Sequence, residues 1–206
     1  MNYSFDTGIS ISRELHELAL NEFQYVVANP EFKTMDYSRE EDRIYNTLLS
    51  CPEHGGHEIL ESFKDNPICN LEGFRTRPEF EQAVLEHFPI VTTIDKKFWI
   101  RLQRVSGGVW FPYHSDEVKT GGLFVGLQHH NEKTRFWRET NPTPISAKAL
   151  SNLEFAQEIC VKDREVWIFD HNAVHSVHDC TQNIPRITMT IAFEGLKPQD
   201  LVQFFL

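Results

Sequence analysis

At 206 residues the chain is long enough for one domain with a full hydrophobic core. Its 40% apolar and 24% charged content, with 16 Phe and 4 Trp, excludes a disordered chain, and no apolar run approaches the roughly 20 residues of a spanning helix. The formal charge of −10 lies in the first half, with 18 acidic and 7 basic side chains in 1–95 against 12 and 13 in 96–206. A field of that sign repels phosphate backbones, which argues against a nucleic-acid partner.

The start of the chain, Met1 to Asp6, lacks the basic and apolar segments of a secretory signal, so the expected location is cytoplasmic. Cys51, Cys69, Cys160 and Cys180 form no CxxC pair and are expected to be reduced.

In chain order, residues 1–95 are expected to be a mainly helical support region. Leu15, Leu18, Phe23 and Val26 predict a helix over 12–28 that stops before Pro30. Ser38 and Glu41 have the spacing of a capping box ahead of Ile44 and Leu48. Further helices are predicted over 57–64 and, opened by Pro78, over 78–88. From Pro89 onward the pattern becomes short strands: 89–94, 97–105, 108–113, 121–128, 133–138, 155–162, 164–169, 173–178 and 186–193. Closely spaced strands without intervening helices predict an antiparallel sandwich, jelly roll or barrel over 96–195, with the helices packed outside it in one domain. The apolar tail 196–206 is expected to dock on its own core, with a second subunit as the alternative.

Histidine is the informative residue type. His114-Ser115-Asp116 closes one strand, and about sixty residues later Phe169-Asp170-His171-Asn172-Ala173-Val174-His175-Ser176-Val177 leads toward the last strand, which Arg186 begins. An HxD pair and a distant His can supply two imidazoles and one carboxylate to one metal and leave coordination positions open, the donor set of non-haem Fe(II) oxygenases. Arg186 heads an otherwise apolar strand of Ile187, Met189, Ile191 and Phe193, a placement that calls for a buried anionic partner.

By their positions alone, His171, His175 and His178 all compete for the distant ligand, with His171 and His175 on one face of a continuous strand. His129-His130 is expected to be a solvated loop. Cys51, His54 and His57 around Gly55-Gly56 have a superficial zinc spacing, but lack an evident fourth ligand and read as a polar loop.

The stretch 97–193 resembles the double-stranded β-helix core of the Fe(II)/2-oxoglutarate-dependent dioxygenases. The run FDHNAVHSV resembles their aspartyl/asparaginyl β-hydroxylase-like group, with its F-D-x-x-x-x-H-x-V pattern, which also contains free-proline hydroxylases. The resemblance implies a jelly-roll (cupin-like) core flanked by helices. It makes His114, Asp116 and His175 the iron ligands, and Arg186 the partner of the distal carboxylate of 2-oxoglutarate. Fe(II), 2-oxoglutarate and dioxygen are the implied cofactors, and hydroxylation of an unactivated C–H bond with release of succinate and CO2 is the implied reaction. Desaturation or ring closure starts from the same chemistry.

Where members of that group carry an Arg and a His ahead of a G-L pair, this chain has Gly121-Gly122-Leu123, and Lys119 or another strand would have to compensate. A small molecule such as a free or carrier-bound amino acid is the expected substrate, with a protein or peptide side chain as the alternative. A non-catalytic cupin-like binding protein is the alternative of another class.

Substrate contacts are sought on strand 97–105, where Trp99, Arg101, Gln103 and Val105 share a face. Arg101 and Gln103 face either the substrate or, with Phe98, Ile100 and Leu102 turned inward, the solvent. Trp110 and Tyr113 precede the ligands and are candidate pocket walls.

Overall fold

The computed structural model describes residues 2–36, 69–114, 121–139, 153–181 and 183–205, without the side chains of 35, 36, 112–114 and 139. The helices predicted after Ser38 and over 57–64, and the Cys51–His57 loop, lie outside the described residues.

Helix α1 (Arg13–Ala28) begins where Ser12 caps it, its hydroxyl accepting the Leu15 N–H at 3.1 Å, and ends at Asn29 before Pro30. Helix α2 (Pro78–His87) starts with proline at its first turn. The two helices lay Leu15, Ala19, Phe23 and Val26, and Phe80 and Val84, onto one face of a sheet.

That sheet has seven strands in the order β1-β9-β6-β11-β4-β3-β2, where β1 is Ser4–Ser10, β2 Lys33–Asp36, β3 Asn70–Arg75, β4 Phe98–Ser106, β6 Gly121–Gln128, β9 Glu165–Asp170 and β11 Arg186–Phe193. A second sheet has the order β5-β10-β7-β8, with β5 Phe111–His114, β7 Lys133–Glu139, β8 Leu153–Ile159 and β10 Val174–His178. Every ladder is antiparallel. From β4 to β11 the chain passes back and forth between the two sheets, with the consecutive strands β7 and β8 paired in the four-stranded one, in the double-stranded β-helix arrangement expected from the sequence.

The period-2 rule divides β4 and β11 between two interiors. Ile100, Leu102, Met189 and Ile191 join the core under the helices. On the opposite face, Val105 pairs with Arg186, Gln103 with Thr188 and Arg101 with Thr190, looking toward the four-stranded sheet. Both faces of β11 are buried, the apolar one of Ile187, Met189 and Ile191 in the core under the helices and the polar one of Arg186, Thr188 and Thr190 toward the second sheet.

The structure corrects several expectations. Among the described residues of 1–95 lie three strands, β1 to β3, that extend the main sheet. Strand β1 hides from a period-2 reading because Gly8 (φ +67°) and a bulge between Asp6 and Ile9 break its alternation. The run 89–94 is not a strand but a short helix, α3 (Ile90–Thr93). Pro89 takes a helical conformation there, and the Thr92 and Thr93 hydroxyls donate to the carbonyls of Pro89 and Ile90, each at 2.8 Å. The C-terminal tail is helix α4 (Pro198–Phe205), which buries Leu201 in the core of its own chain. No helix among the described residues is long and apolar enough to cross a membrane.

Candidate metal and cosubstrate site

The site lies between the sheets. His175, on β10, pairs in register with His114 on β5, so the ladder brings two histidines sixty residues apart opposite each other. The His175 side chain is 7% exposed. Its Nδ1 lies 2.8 Å from the Ala173 carbonyl, so Nδ1–H donates there and Nε2 is the unprotonated nitrogen, the tautomer of a metal-ligating imidazole. Asp116 lies outside the described residues, as do the side chains of His114 and Tyr113.

The run FDHNAVHSV builds this position locally. Asp170 Oδ1 accepts the N–H groups of Asn172 and Ala173, closing the turn between β9 and β10. Phe169 stands edge-on to His175 with centroids 5.9 Å apart, and Phe136 of β7 packs on both rings. Val177 follows on the same face as His175.

A cavity of about 50 Å³ opens among His175, His171, Arg186, Thr134, Gln103 and Thr188. Arg186 is 4% exposed and reaches from β11 to β7, donating to Thr134 Oγ1 at 3.0 Å, while its carbon head lies 5.1 Å from the Phe124 centroid. Its Nε has no hydrogen-bond partner among the described residues. Burial lowers the pKa of this guanidinium, with the charges of Cys180 and Glu132 opposing it, yet an arginine stays charged, so a cation sits in the cavity with no carboxylate at ion-pair distance among the described residues. A carboxylate entering the cavity would satisfy it. A buried imidazole and a buried cation on one cavity are compatible in chemistry with a metal ion and an anionic chelator.

The other sequence candidates separate. Gln103 and His171 line the cavity. Arg101 is half-buried on the Gln103 face, its Nη1 donating to the Ile100 carbonyl at 2.9 Å, with burial lowering its pKa. On β4, Ile100 and Leu102 turn into the core with Phe98 against it, as the solvent-facing alternative has it, but the opposite face is half-buried, with Gln103 and Val105 on the cavity. Trp110 does not wall the cavity, where Phe111 stands instead; it is buried in stacking contact with His178, centroids 6.4 Å apart. His178 turns away from the cavity and its Nε2 lies 2.9 Å from Ser176 Oγ.

His129 overturns the solvated-loop expectation, since its side chain is 1% exposed. Its ring folds under Gly126, where a Cβ would come within 2.3 Å of the Lys162 carbonyl and 3.2 Å of the imidazole. Burial, and then the charge of Arg186, pushes His129 down to about 2, although Glu132 Oε2 lies 3.9 Å from Nδ1. Thr134 was missed as a site residue. Its signal was the alternation Lys133-Thr134-Arg135-Phe136, which turns Thr134 and Phe136 inward.

No family model and no curated protein matches the chain. Solved structures do. HygX from Streptomyces hygroscopicus, determined with nickel, 2-oxoglutarate and hygromycin B bound, aligns over 93% of this chain and 81% of its own at 7% identity, with a TM-score of 0.53. A prolyl-4-hydroxylase from Pseudomonas putida aligns over 93% and 91% at 10% identity, with a TM-score of 0.48. The alpha-ketoglutarate-dependent epimerase SnoN of nogalamycin biosynthesis aligns over 63% of this chain at 9% identity and a TM-score of 0.44, and the chain spans 62% of its length. The fold of this chain is the one it shares with HygX, a double-stranded β-helix.

Proposed function

We propose that the protein is an Fe(II)- and 2-oxoglutarate-dependent dioxygenase that hydroxylates a small molecule, an amino acid in free or carrier-bound form. The observation that carries this reading is the buried Arg186, on the cavity shared with His175 and without a direct ion-pair partner among the described residues, a place the distal carboxylate of 2-oxoglutarate would fill.

His175, His114 and Asp116 are the proposed iron ligands. The bound iron and cosubstrate supply the oxidation of the C–H bond, with succinate and CO2 as coproducts. The chain's own residues do the rest. The Ala173 carbonyl fixes the His175 tautomer, Thr134 holds the Arg186 guanidinium at the inner end of the cavity, and Phe136 and Phe169 keep water from the histidine. On the wall, Gln103 and Thr188 offer hydrogen bonds to substrate or cosubstrate. Arg101, two residues from Gln103 on the same face, supports a substrate carrying a carboxylate.

The test is anaerobic addition of Fe(II) and 2-oxoglutarate to metal-free protein. A visible charge-transfer band that disappears in His175→Ala, and needs far more 2-oxoglutarate in Arg186→Ala, is expected. Succinate release across a panel of amino acids would then identify the substrate, and release only with peptides would shift the reading to a side-chain hydroxylase. Folded wild type that forms no band and binds iron no better than His175→Ala would leave a jelly-roll binding protein.

A further inference from the structure

Behind the cavity wall two thiols share one small buried cluster. Cys69 immediately precedes β3 in the seven-stranded sheet and Cys180 follows β10 in the four-stranded one; both are buried and free. The two side chains share one buried cluster and act on each other electrostatically. Their backbones are clamped to neighbouring residues of one connection, the Cys69 N–H donating to the Trp110 carbonyl at 2.7 Å and the Cys180 N–H to that of Val109 at 3.0 Å. The pair packs with Leu71, Val105, Phe111 and Val177, each of which also lines the cavity.

The two sulfurs are not equivalent. The neighbouring Cys69, and further the positive charge of Arg186, hold the Cys180 thiol below its ordinary value against the cost of burial. Facing Cys180 and buried, Cys69 is pushed up. An acidified thiol beside a second one has the arrangement of a reactive cysteine and its resolving partner.

We propose that Cys69 and Cys180 form a peroxide-reactive dithiol that closes to an intramolecular disulfide and staples the two sheets together behind the cavity. The Cys180 thiolate attacks one oxygen of hydrogen peroxide; the O–O bond breaks, Cys180 becomes a sulfenic acid, and the departing hydroxide takes a proton to leave as water. Cys69, giving up its proton, then attacks the Cys180 sulfur, the S–S bond forms, and the second oxygen leaves as water. Two thiols lose two electrons and two protons, and one peroxide accepts them. One layer of side chains separates the pair from the cavity, which is large enough to admit a molecule of peroxide size.

The experiment treats reduced, metal-free protein with hydrogen peroxide, alkylates the remaining thiols after denaturation and maps the peptides. It uses neither iron nor 2-oxoglutarate, so its outcome is separate from that of the function proposed above. The expected result is a loss of 2 Da, a cross-link between the Cys69 and Cys180 peptides, reversal by dithiothreitol and a raised Tm. Cys69→Ser should halt at a sulfenic acid on Cys180 that dimedone traps, and Cys180→Ser should not form the cross-link. Peroxide treatment that leaves Cys69 and Cys180 fully alkylatable while the half-buried Cys160 is oxidised, or that joins either one to Cys51 or Cys160, would overturn the proposal. Mapping of the wild type decides the matter even if a serine variant does not fold.

Discussion

Arg186 on β11 and Thr134 on β7 are joined by a 3.0 Å hydrogen bond that spans the interior from one sheet to the other. This bond fixes the guanidinium, and its removal separates binding from stability. Arg186→Met should weaken 2-oxoglutarate binding by about 100-fold and Thr134→Val by roughly 5- to 10-fold, the range for losing charged and neutral hydrogen-bond partners. The metal-free Arg186→Met protein should unfold at no lower urea concentration than wild type, because a buried cation without a carboxylate costs stability that an apolar side chain of similar length does not. Calorimetric titration with 2-oxoglutarate and urea denaturation check the two halves. A variant that lost stability in proportion to affinity would show that Arg186 is a structural residue.

The register of His175 against His114 gives a metal-binding prediction. His175→Ala and His114→Ala should each lower affinity for Fe(II), or for Co(II) as a spectroscopic stand-in, by at least about 100-fold, since two remaining donors hold a divalent ion poorly. His178→Ala serves as the contrast. Its ring lies on the other side of β10 against Trp110, so metal affinity should be unchanged. Equal losses in all three variants, read by anaerobic titration, would refute this ligand assignment.

Glu22 ties the two long helices together. It is 1% exposed and its carboxylate accepts the Arg77 backbone N–H at 2.8 Å and two guanidinium N–H groups at 2.8 and 2.6 Å, at the N-terminal end of α2 where negative charge is also favoured. Glu22→Ala should destabilise the fold by about 2–3 kcal/mol, below the range for a fully buried pair because Arg77 keeps contact with water. Urea unfolding measures the loss. Metal affinity should stay at the wild-type value, since this contact lies on the helix side of the sheet.

What the sequence made legible follows from periodicity. Strands β6 and β11 were read to the residue, β6 as a near-continuous apolar run and β11 as an alternation of Arg186, Thr188 and Thr190 with Ile187, Met189 and Ile191, each between turn signals. The histidine pattern pointed to His175 because Phe169, Asp170 and Val177 each have a local task around it. Strand β3 escaped because its polar Glu72 is buried in ion pairs, with Lys33 Nζ at 2.7 Å and with Arg104, so polarity there did not mark a surface. The alternation of β4 was visible, but which face was inward could not be decided from it, since the helices cover one face and the second sheet the other. His129 was misread for a related reason. Two adjacent histidines beside Asn131 look solvated until the chain folds one ring beneath Gly126.

His129 also predicts how stability varies with pH. Both ring nitrogens lack hydrogen-bond partners among the described residues, and burial holds the folded-state pKa at about 2, against 6.5 for an ordinary histidine. The unfolded chain therefore takes up a proton below pH 6.5 that the folded chain refuses. The group's contribution is fully present above pH 6.5 and is lost as pH falls toward the folded value, at about 1.4 kcal/mol per pH unit once the unfolded histidine is charged. His178, lowered to about 4 chiefly by burial, acts in the same direction until it too protonates in the folded state. In His129→Phe the ring keeps its contact with Phe124, and the slope of unfolding free energy against pH between 6 and 4 should fall by one proton. Urea denaturation of both proteins at pH 7.5, 6, 5 and 4 provides the comparison, and subtracting the curves removes every group they share. Parallel curves would mean that His129 is protonated inside the fold, with Glu132 at 3.9 Å as its counter-charge.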